Sequence, residues 1–500
     1  MARKKPRKPD QRPSLTLLDT GVPGLNEVLG GGVPALSFNV IAGGPGSGKT
    51  TMAMQLLFAN ATAARPGLFI TLLGETSLKM LRYQQLFDFF DPERIGSDVH
   101  FLNLSEEALA DLDDVLIRIT AEVERLHPAI IVVDSFRSLI GGQRADISTV
   151  KIEHFVQRLA VHLTTWEITS FLIGEYPERD IRDPVFTVAD SIIWLNQEAH
   201  RSSVVRRLQV VKVRGLAPMP GLHTIRITGA GVQVFPRTPQ RYDDSHPRGN
   251  HRLSTGITGL DEMMGGGIPE GDSLVLAGPT GTGKTTFAMK FVAAGLAAGE
   301  AAVIAIFEEH PEVYLQRAKS IEVDLRAAVS ADRLRIIYLR PLDLSVDETL
   351  EEIRTAVQEI GAKRVVIDSI SGFEMALAPA FREDFRESLY RLIGALTGIG
   401  VTMYSTVEMV GGNAGLQFTG YQVSFLTDDI LSQRYVEIEG ELRKALVVVK
   451  MRGSTHSREF RTYELSTTGV ELRESLQDYD GIITGMPTRQ VRIPPRPLPG

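Results

Sequence analysis

Along the first half of the chain, short β-branched runs alternate with longer stretches whose apolar positions recur at helical spacing. "SFNVIAG" (Ser37–Gly43) leads into a helical pattern from Thr50. Then come "GLFITLL" (Gly67–Leu73), the amphipathic "LADLDDVLIRITAEVERL" (Leu109–Leu126) and "AIIVVDS" (Ala129–Ser135). Runs of this kind, separated by helices, predict right-handed βαβ units and a mainly parallel sheet. The pattern then starts again. "TGVPGLNEVLGGGVP" (Thr20–Pro34) answers to "TGITGLDEMMGGGIP" (Thr255–Pro269), "IIVVDS" (Ile130–Ser135) to "RVVIDS" (Arg364–Ser369), and "VVKVRG" (Val210–Gly215) to "VVKMRG" (Val448–Gly453). Landmarks in one order at a nearly constant offset mark a duplicated domain, and the period is too long for a solenoid.

Between the copies lies "PRTPQRYDDSHPRGNHR" (Pro236–Arg252), polar and punctuated by proline and glycine, which is linker composition. The expected organisation is a basic tail at residues 1–14, an α/β domain at 15–235, a linker at 236–252, a second α/β domain at 253–485 and a Pro-rich tail at 486–500. The 500 residues are enough for two such cores.

Composition narrows the chemistry. There is no cysteine, which excludes disulfides, thiolate metal sites and cysteine nucleophiles. A net charge of −7 argues against a dedicated nucleic-acid binder. No apolar run is long enough for a bilayer span, and the basic N-terminus lacks the apolar stretch of a secretory signal, so a cytoplasmic location is expected.

The chemistry sits on two glycine-rich loops. "GGPGSGKTT" and "GPTGTGKTT" both complete the spacing G-x-x-x-x-G-K-[ST] between a strand and a helix. Such loops turn their backbone amides toward phosphate at a helix N-terminus. The expected ATP-binding positions are Gly43, Gly46, Ser47, Gly48, Lys49, Thr50 and Thr51 in the first half. In the second they are Gly278, Thr280, Gly281, Thr282, Gly283, Lys284, Thr285 and Thr286. Lys49 and Lys284 are placed to reach the β- and γ-phosphates, and the Thr50 and Thr285 hydroxyls to ligate Mg²⁺. Asp134 and Asp368 each end an aliphatic strand after a P-loop, where a carboxylate holds the Mg²⁺ shell. In "AIFEEH", Glu308 and Glu309 end a further strand, and either could serve as general base, with Glu308 also on the metal side. The first half has Gly74 in the position of the first glutamate and keeps only Glu75 as catalytic candidate.

This order, together with "YVEIEGELRKALVVVKMRGSTHSREFRTYELSTTGVEL", resembles the KaiC family of circadian-clock ATPases and autokinases over residues about 15 to 490. The resemblance implies two tandem RecA-like P-loop ATPase domains per chain, a homo-hexameric double ring, and nucleotide held between subunits. By that resemblance Lys450, Arg452, Ser454 and His456 correspond to the segment that reaches the neighbouring subunit's nucleotide. The first half retains Lys212 and Arg214 but follows them with "LAPM". The family's second domain phosphorylates an adjacent Ser-Thr pair, matched here by Ser424 and Phe425, with Thr419 matching a nearby transient acceptor. Phe425 departs from the pattern, so Ser424 is either an acceptor or a structural serine. The end "VRIPPRPLPG" lacks a helical pattern, which argues against KaiA-type docking, while a KaiB-like protein or a signalling kinase stays open as partner.

Three functions follow: an ATPase with autokinase activity, an ATPase switch without it, and a DNA-dependent RecA-type ATPase. The charge balance and the lack of a basic, aromatic loop weigh against the last.

Overall fold

The computed structural model describes residues 15–72, 77–104, 112–134, 149–176, 184–200, 203–237, 251–339, 345–377, 379–382, 385–409, 427–483 and 487–489. The chain divides into two compact units, Met1–Arg237 and Thr238–Gly500.

Each unit is built on a nine-stranded sheet with one and the same strand order. In the first unit the order is Val99–Asn103, Gly67–Thr71, Ile130–Asp134, Thr169–Glu175, Phe38–Gly43, Ser191–His200, Ser203–Val213, His223–Thr228 and Gly231–Phe235. Pairing is parallel from Val99–Asn103 through Ser191–His200 and antiparallel beyond it. The second unit repeats this as Leu334–Tyr338, Ala302–Ile306, Arg364–Asp368, Thr402–Glu408, Ser273–Gly278, Asp429–Ile438, Glu441–Met451, Arg461–Ser466 and Gly469–Ser475. Two tandem α/β domains with mainly parallel central sheets were expected, and these are found.

The strand that feeds each P-loop, Phe38–Gly43 or Ser273–Gly278, is buried at every position because parallel neighbours flank it and side chains cover both faces. Successive residues serve opposite faces. Ile41, Phe69 and Val132 pack with Met52 and Leu56 of the P-loop helix Lys49–Asn60. Val40, Leu68 and Ile131 pack instead with Val115 and Ile119 of helix Leu112–Leu126 and with Val156 and Leu159 of helix Thr149–Thr165. The first of these two helices lies within the amphipathic stretch the sequence marks, and its apolar stripe faces the sheet. Arg252, which composition assigns to the linker, pairs in the strand Arg252–Leu253 with Ile268–Pro269. It donates to the carbonyls of Met264 and Gly267.

A buried cation in the central strands distinguishes the second core from the first. The strand Arg364–Asp368 begins with an arginine where the strand Ile130–Asp134 begins with isoleucine. The Arg364 side chain is 2% exposed. Its Nε lies 2.6 Å from Glu300 Oε2, and its Nη1 donates to the carbonyls of Ser254 and Phe291 at 2.8 Å each. The guanidinium also lies 4.5 Å from the centroid of the Phe291 ring. Removing one partner of a buried pair leaves the other charge uncompensated, which costs several kcal/mol. Glu300→Ala is therefore expected to destabilise the second unit by about 3 kcal/mol, read as a lowered denaturant midpoint of the full chain. The exposed-pair variant Glu441→Ala, removing a partner of Arg443, is expected to shift it by less than about 1 kcal/mol.

Candidate functional site

Both P-loops start at the C-terminal end of the most central parallel strand and end in the first turn of a helix, Lys49–Asn60 or Lys284–Ala297. Gly48 and Gly283 cap these helices in the left-handed region, at φ 99° and 91°, where a side chain would be strained. A Cβ would also meet Ile227 in the first case and Leu465 in the second. The loop hydroxyls fold inward, Ser47 Oγ donating to the Gly44 carbonyl and Thr282 Oγ1 to the Pro279 carbonyl, both at 2.8 Å. Each loop is also held from the antiparallel side of its sheet. Arg206 donates to the Gly46 carbonyl, while Tyr463 and Tyr435 donate to the carbonyls of Thr282 and Thr280.

The lysines are drawn in. Lys49 Nζ donates to the Gly44 carbonyl at 2.7 Å, and Lys284 Nζ to those of Gly278 and Pro279 at 2.9 Å. Burial lowers the pKa of both, against the pull of nearby carboxylates: Glu175 and Asp134 for Lys49, and Glu408, Asp368 and Glu308 for Lys284. Thr50 Oγ1 donates to Asp134 Oδ2 at 2.7 Å. Thr285 and Thr406 both hydrogen-bond Asp368, whose carboxyl is nevertheless raised by burial. A hydroxyl and a carboxylate side by side are the hard oxygen donors that Mg²⁺ takes, with phosphate and water completing its shell. Among the described residues no three His, Asp or Glu gather into a metal cluster of their own. The residues present thus fit Mg²⁺ bound with phosphate. Thr51 and Thr286 follow in the first helical turns.

The paired glutamates are held differently. Glu308 Oε1 accepts from Ser369 Oγ at 2.9 Å, and Ser369 in turn accepts from the Gly372 amide as the cap of helix Ile370–Ala376. This places Glu308 beside Asp368. Glu309 turns to Arg317, with Oε2 2.8 Å from Nη2, and burial raises its carboxyl. Glu75 and Gly74 of the first half, and Thr419, Ser424 and Phe425 of the second, lie outside the described residues.

Two carboxylates at these sites went unread in the sequence. Glu175 ends strand Thr169–Glu175 directly opposite Gly43, and Glu408 ends strand Thr402–Glu408 directly opposite Gly278. Glu408 also accepts from Thr280 Oγ1 within the P-loop. The signal was a second acid-terminated strand late in each half, "FLIGE" and "YSTVE".

The cations matched by resemblance are not at these sites within one chain. Strand Asp429–Ile438 runs parallel to the P-loop strand with Asp429 opposite Leu274, and Glu441–Met451 returns antiparallel so that Met451 pairs with Asp429. Lys450 and Arg452 therefore lie at the opposite end of the sheet from Gly278, about 15 Å away along the strand. Lys450 Nζ donates to the Thr427 carbonyl at 2.6 Å, and Arg452 Nη1 lies 3.1 Å from Asp428 Oδ1. Lys212 and Arg214 are placed alike, on the Ala189 carbonyl at 2.5 Å and on Asp190 Oδ1 at 2.9 Å. Ser454 Oγ accepts from Arg252 at 2.6 Å, and the buried Nδ1 of His456 has no hydrogen-bond partner among the described residues.

Next to this segment, Asp429 is fully buried. Burial, and then the Asp272 and Asp428 carboxylates, push its carboxyl up to about 8. The folded state keeps this proton while the unfolded chain releases it near the ordinary value of 3.8. The group therefore favours folding most at low pH, and that contribution is lost as pH rises toward 8. Asp429→Asn is expected to gain in thermal midpoint relative to the parent between about pH 5 and about pH 8. A difference that stays flat over that range would contradict the raised carboxyl.

Comparison with known proteins agrees with the duplicated layout. A family model described as KaiC, an ATPase, matches residues 18–239 and again 253–477. The circadian clock oscillator protein KaiC of Prochlorococcus marinus is 30% identical over 493 residues, covering 94% of this chain and 95% of its own. KaiC 1 of Synechocystis sp. is 29% identical over 504 residues, covering 96% and 93%, and KaiC of Parathermosynechococcus lividus is 29% identical over 489 residues, covering 94% and 88%. No helix among the described residues is long and apolar enough to cross a membrane.

Proposed function

The chain belongs to the KaiC family of ATPases, and on that premise we propose that it is an ATP-driven switch that hydrolyses ATP in both halves and phosphorylates itself in the second. The halves are taken as residues 15–235 and 253–485, assembled as a cytoplasmic homo-hexameric double ring with nucleotide between subunits. The partner that reads its state is a KaiB-like protein or a signalling kinase; the reading includes no nucleic acid and no membrane.

The observation that carries it is the arrangement around Glu308. This carboxylate is fixed by Ser369 beside Asp368 and contributes to the field at Lys284, whereas Glu309 is committed to Arg317. Glu308 is thus the base. Lys284 binds the β- and γ-phosphate oxygens, and Thr285 with Asp368 would hold Mg²⁺, which neutralises developing charge when bound. A Glu308 carboxylate oxygen takes the proton from the attacking hydroxyl, water for hydrolysis or Ser424 for self-phosphorylation, with Thr419 the other acceptor candidate. The γ-phosphorus–oxygen bond to ADP breaks as the new oxygen–phosphorus bond forms. In the first half Lys49, Thr50 and Asp134 have the same tasks, with Glu75 as the base. The lone glutamate there predicts slower turnover.

The distance of Lys450 and Arg452 from their own P-loop, and of Lys212 and Arg214 from theirs, supports their acting on a neighbour's nucleotide. Cations aimed at phosphate oxygens stabilise the transferring group. A second reading, hydrolysis without self-phosphorylation, is favoured by Phe425 beside Ser424.

Phosphopeptide mapping after incubation with ATP and Mg²⁺ is expected to find phosphate on Ser424 or Thr419, and none in Lys284→Ala or Glu308→Gln. An unmodified chain that still releases ADP would select the second reading. Lys49→Ala and Lys284→Ala are expected to lose unequal shares of turnover, the larger with Lys284→Ala. Equal loss with assembly intact in both would count against a division of labour. Single-stranded DNA is expected to leave the ATPase rate unchanged, and a large salt-sensitive increase would favour the DNA-dependent class instead.

A further inference from the structure

The duplicated chain offers a test of which contacts matter, because features that recur in both halves have survived wide divergence around them. One such feature lies at the end of each sheet remote from the P-loop. Asp190 precedes strand Ser191–His200, and Asp428 precedes strand Asp429–Ile438. In the first half Asp190 Oδ2 accepts from the amide of Phe38, the first residue of the P-loop strand, at 3.0 Å, and Oδ1 faces Arg214 Nη1 at 2.9 Å. In the second half Asp428 Oδ2 accepts from the amide and the hydroxyl of Ser273, the first residue of that P-loop strand, at 3.1 and 3.0 Å, and Oδ1 faces Arg452 Nη1 at 3.1 Å. The backbone repeats the tie. Asp190 N donates to the Phe38 carbonyl and Asp428 N to that of Ser273, while Arg214 N and Arg452 N donate to the carbonyls of Asp190 and Asp428.

The two ends of this link differ in exposure. The Asp428 side chain is 8% exposed and that of Arg452 is 54%. A guanidinium has five N–H donors in a fixed fork. Asp428 engages one edge and leaves an exposed remainder to meet an anion from outside the subunit.

We propose that Asp190 and Asp428 are positioning residues for phosphoryl transfer in the adjacent subunit. Each holds the outward-reaching arginine, Arg214 or Arg452, in register with the start of its own P-loop strand. This rests on the reading that those arginines act on the neighbour's nucleotide. A rigid strand then joins a subunit's own phosphate site at one end to the cation it offers its neighbour at the other. Correct aim of the guanidinium matters to rate because small displacements of a phosphate-binding group weaken transition-state contacts far more than ground-state binding.

The test uses the full-length protein with Mg²⁺ and ATP, measuring kcat, KM, oligomeric mass and thermal midpoint. Treating both halves together avoids masking by the untouched one. Arg214→Ala with Arg452→Ala removes both cations, and a fall in kcat is expected. Asp190→Asn with Asp428→Asn keeps an oxygen that can accept from the strand amide but removes the charge that orients the arginine. It is expected to lower kcat about tenfold, with KM, mass and thermal midpoint unchanged. With all four substitutions, turnover is expected to be no slower than with the arginine pair removed alone, since the aspartates act through the arginines. An arginine variant with parental kcat would sink the underlying reading. A slow arginine variant beside a fully active aspartate variant, or effects that multiply in the fourfold variant, would sink the positioning proposal alone. Failure to fold of the aspartate variant, and of each of its two single substitutions, would assign these carboxylates to stability and overturn it equally.

Discussion

Each half is organised around an ammonium group drawn partly out of water. Lys49 and Lys284 are buried enough that burial lowers their pKa, and a cation in that setting needs compensating anions within a few ångströms. The carboxylates that supply them stand at the C-terminal ends of strands: Asp134 and Glu175 in the first half, Asp368 and Glu408 in the second, with Glu308 just past another. Only a parallel sheet gathers so many strand ends at one edge. The parallel order is therefore what makes the lysine tolerable, and the same negative edge carries the hard oxygen donors that a metal cation bound with phosphate would take.

How much of this was legible depended on how local the signal was. The P-loops, Asp134 and Asp368 could be read because loop spacing and a strand-ending acid are contained in a few consecutive residues. Glu175 and Glu408 could not, since their position opposite Gly43 and Gly278 depends on a crossover that brings a late strand beside an early one. Arg364 was equally opaque. Its partner Glu300 and its acceptors at Ser254 and Phe291 are scattered along the sequence, and an arginine in an aliphatic strand carries no mark of them. The arginines on the returning strand were picked out by resemblance, but their distance from their own P-loop became visible only with the strand register.

Duplication explains what is shared, and the contacts that differ between the halves show what each position requires. The tie between aspartate, arginine and the first residue of the P-loop strand is kept to within a few tenths of an ångström in both halves. By contrast, the anchors of the P-loop have changed chemistry, from Arg206 in the first half to Tyr435 and Tyr463 in the second. An anchor need only donate one hydrogen bond to a carbonyl, and a guanidinium or a phenol can do so from different strands. A link that must accept from a strand amide and pair with a guanidinium at once has far fewer chemical solutions.

The two glutamates that are equivalent in the sequence are told apart by their neighbours. Glu308 and Glu309 lie just past the strand Ala302–Ile306, and their side chains take different partners. Arg317, on the helix Pro311–Ser320 that follows, draws Glu309 away, and the serine after Asp368 draws Glu308 in. Ser369 is itself fixed by the Gly372 amide, and a Cβ at Gly372 would lie 2.5 Å from Glu308 Oε1. The glycine thus leaves room for the carboxylate, and the helix cap sets its orientation. A carboxylate in a connection, fixed in this way by a helix cap, loses little freedom on meeting a proton donor, so the cap supplies the rigidity that the connection itself lacks.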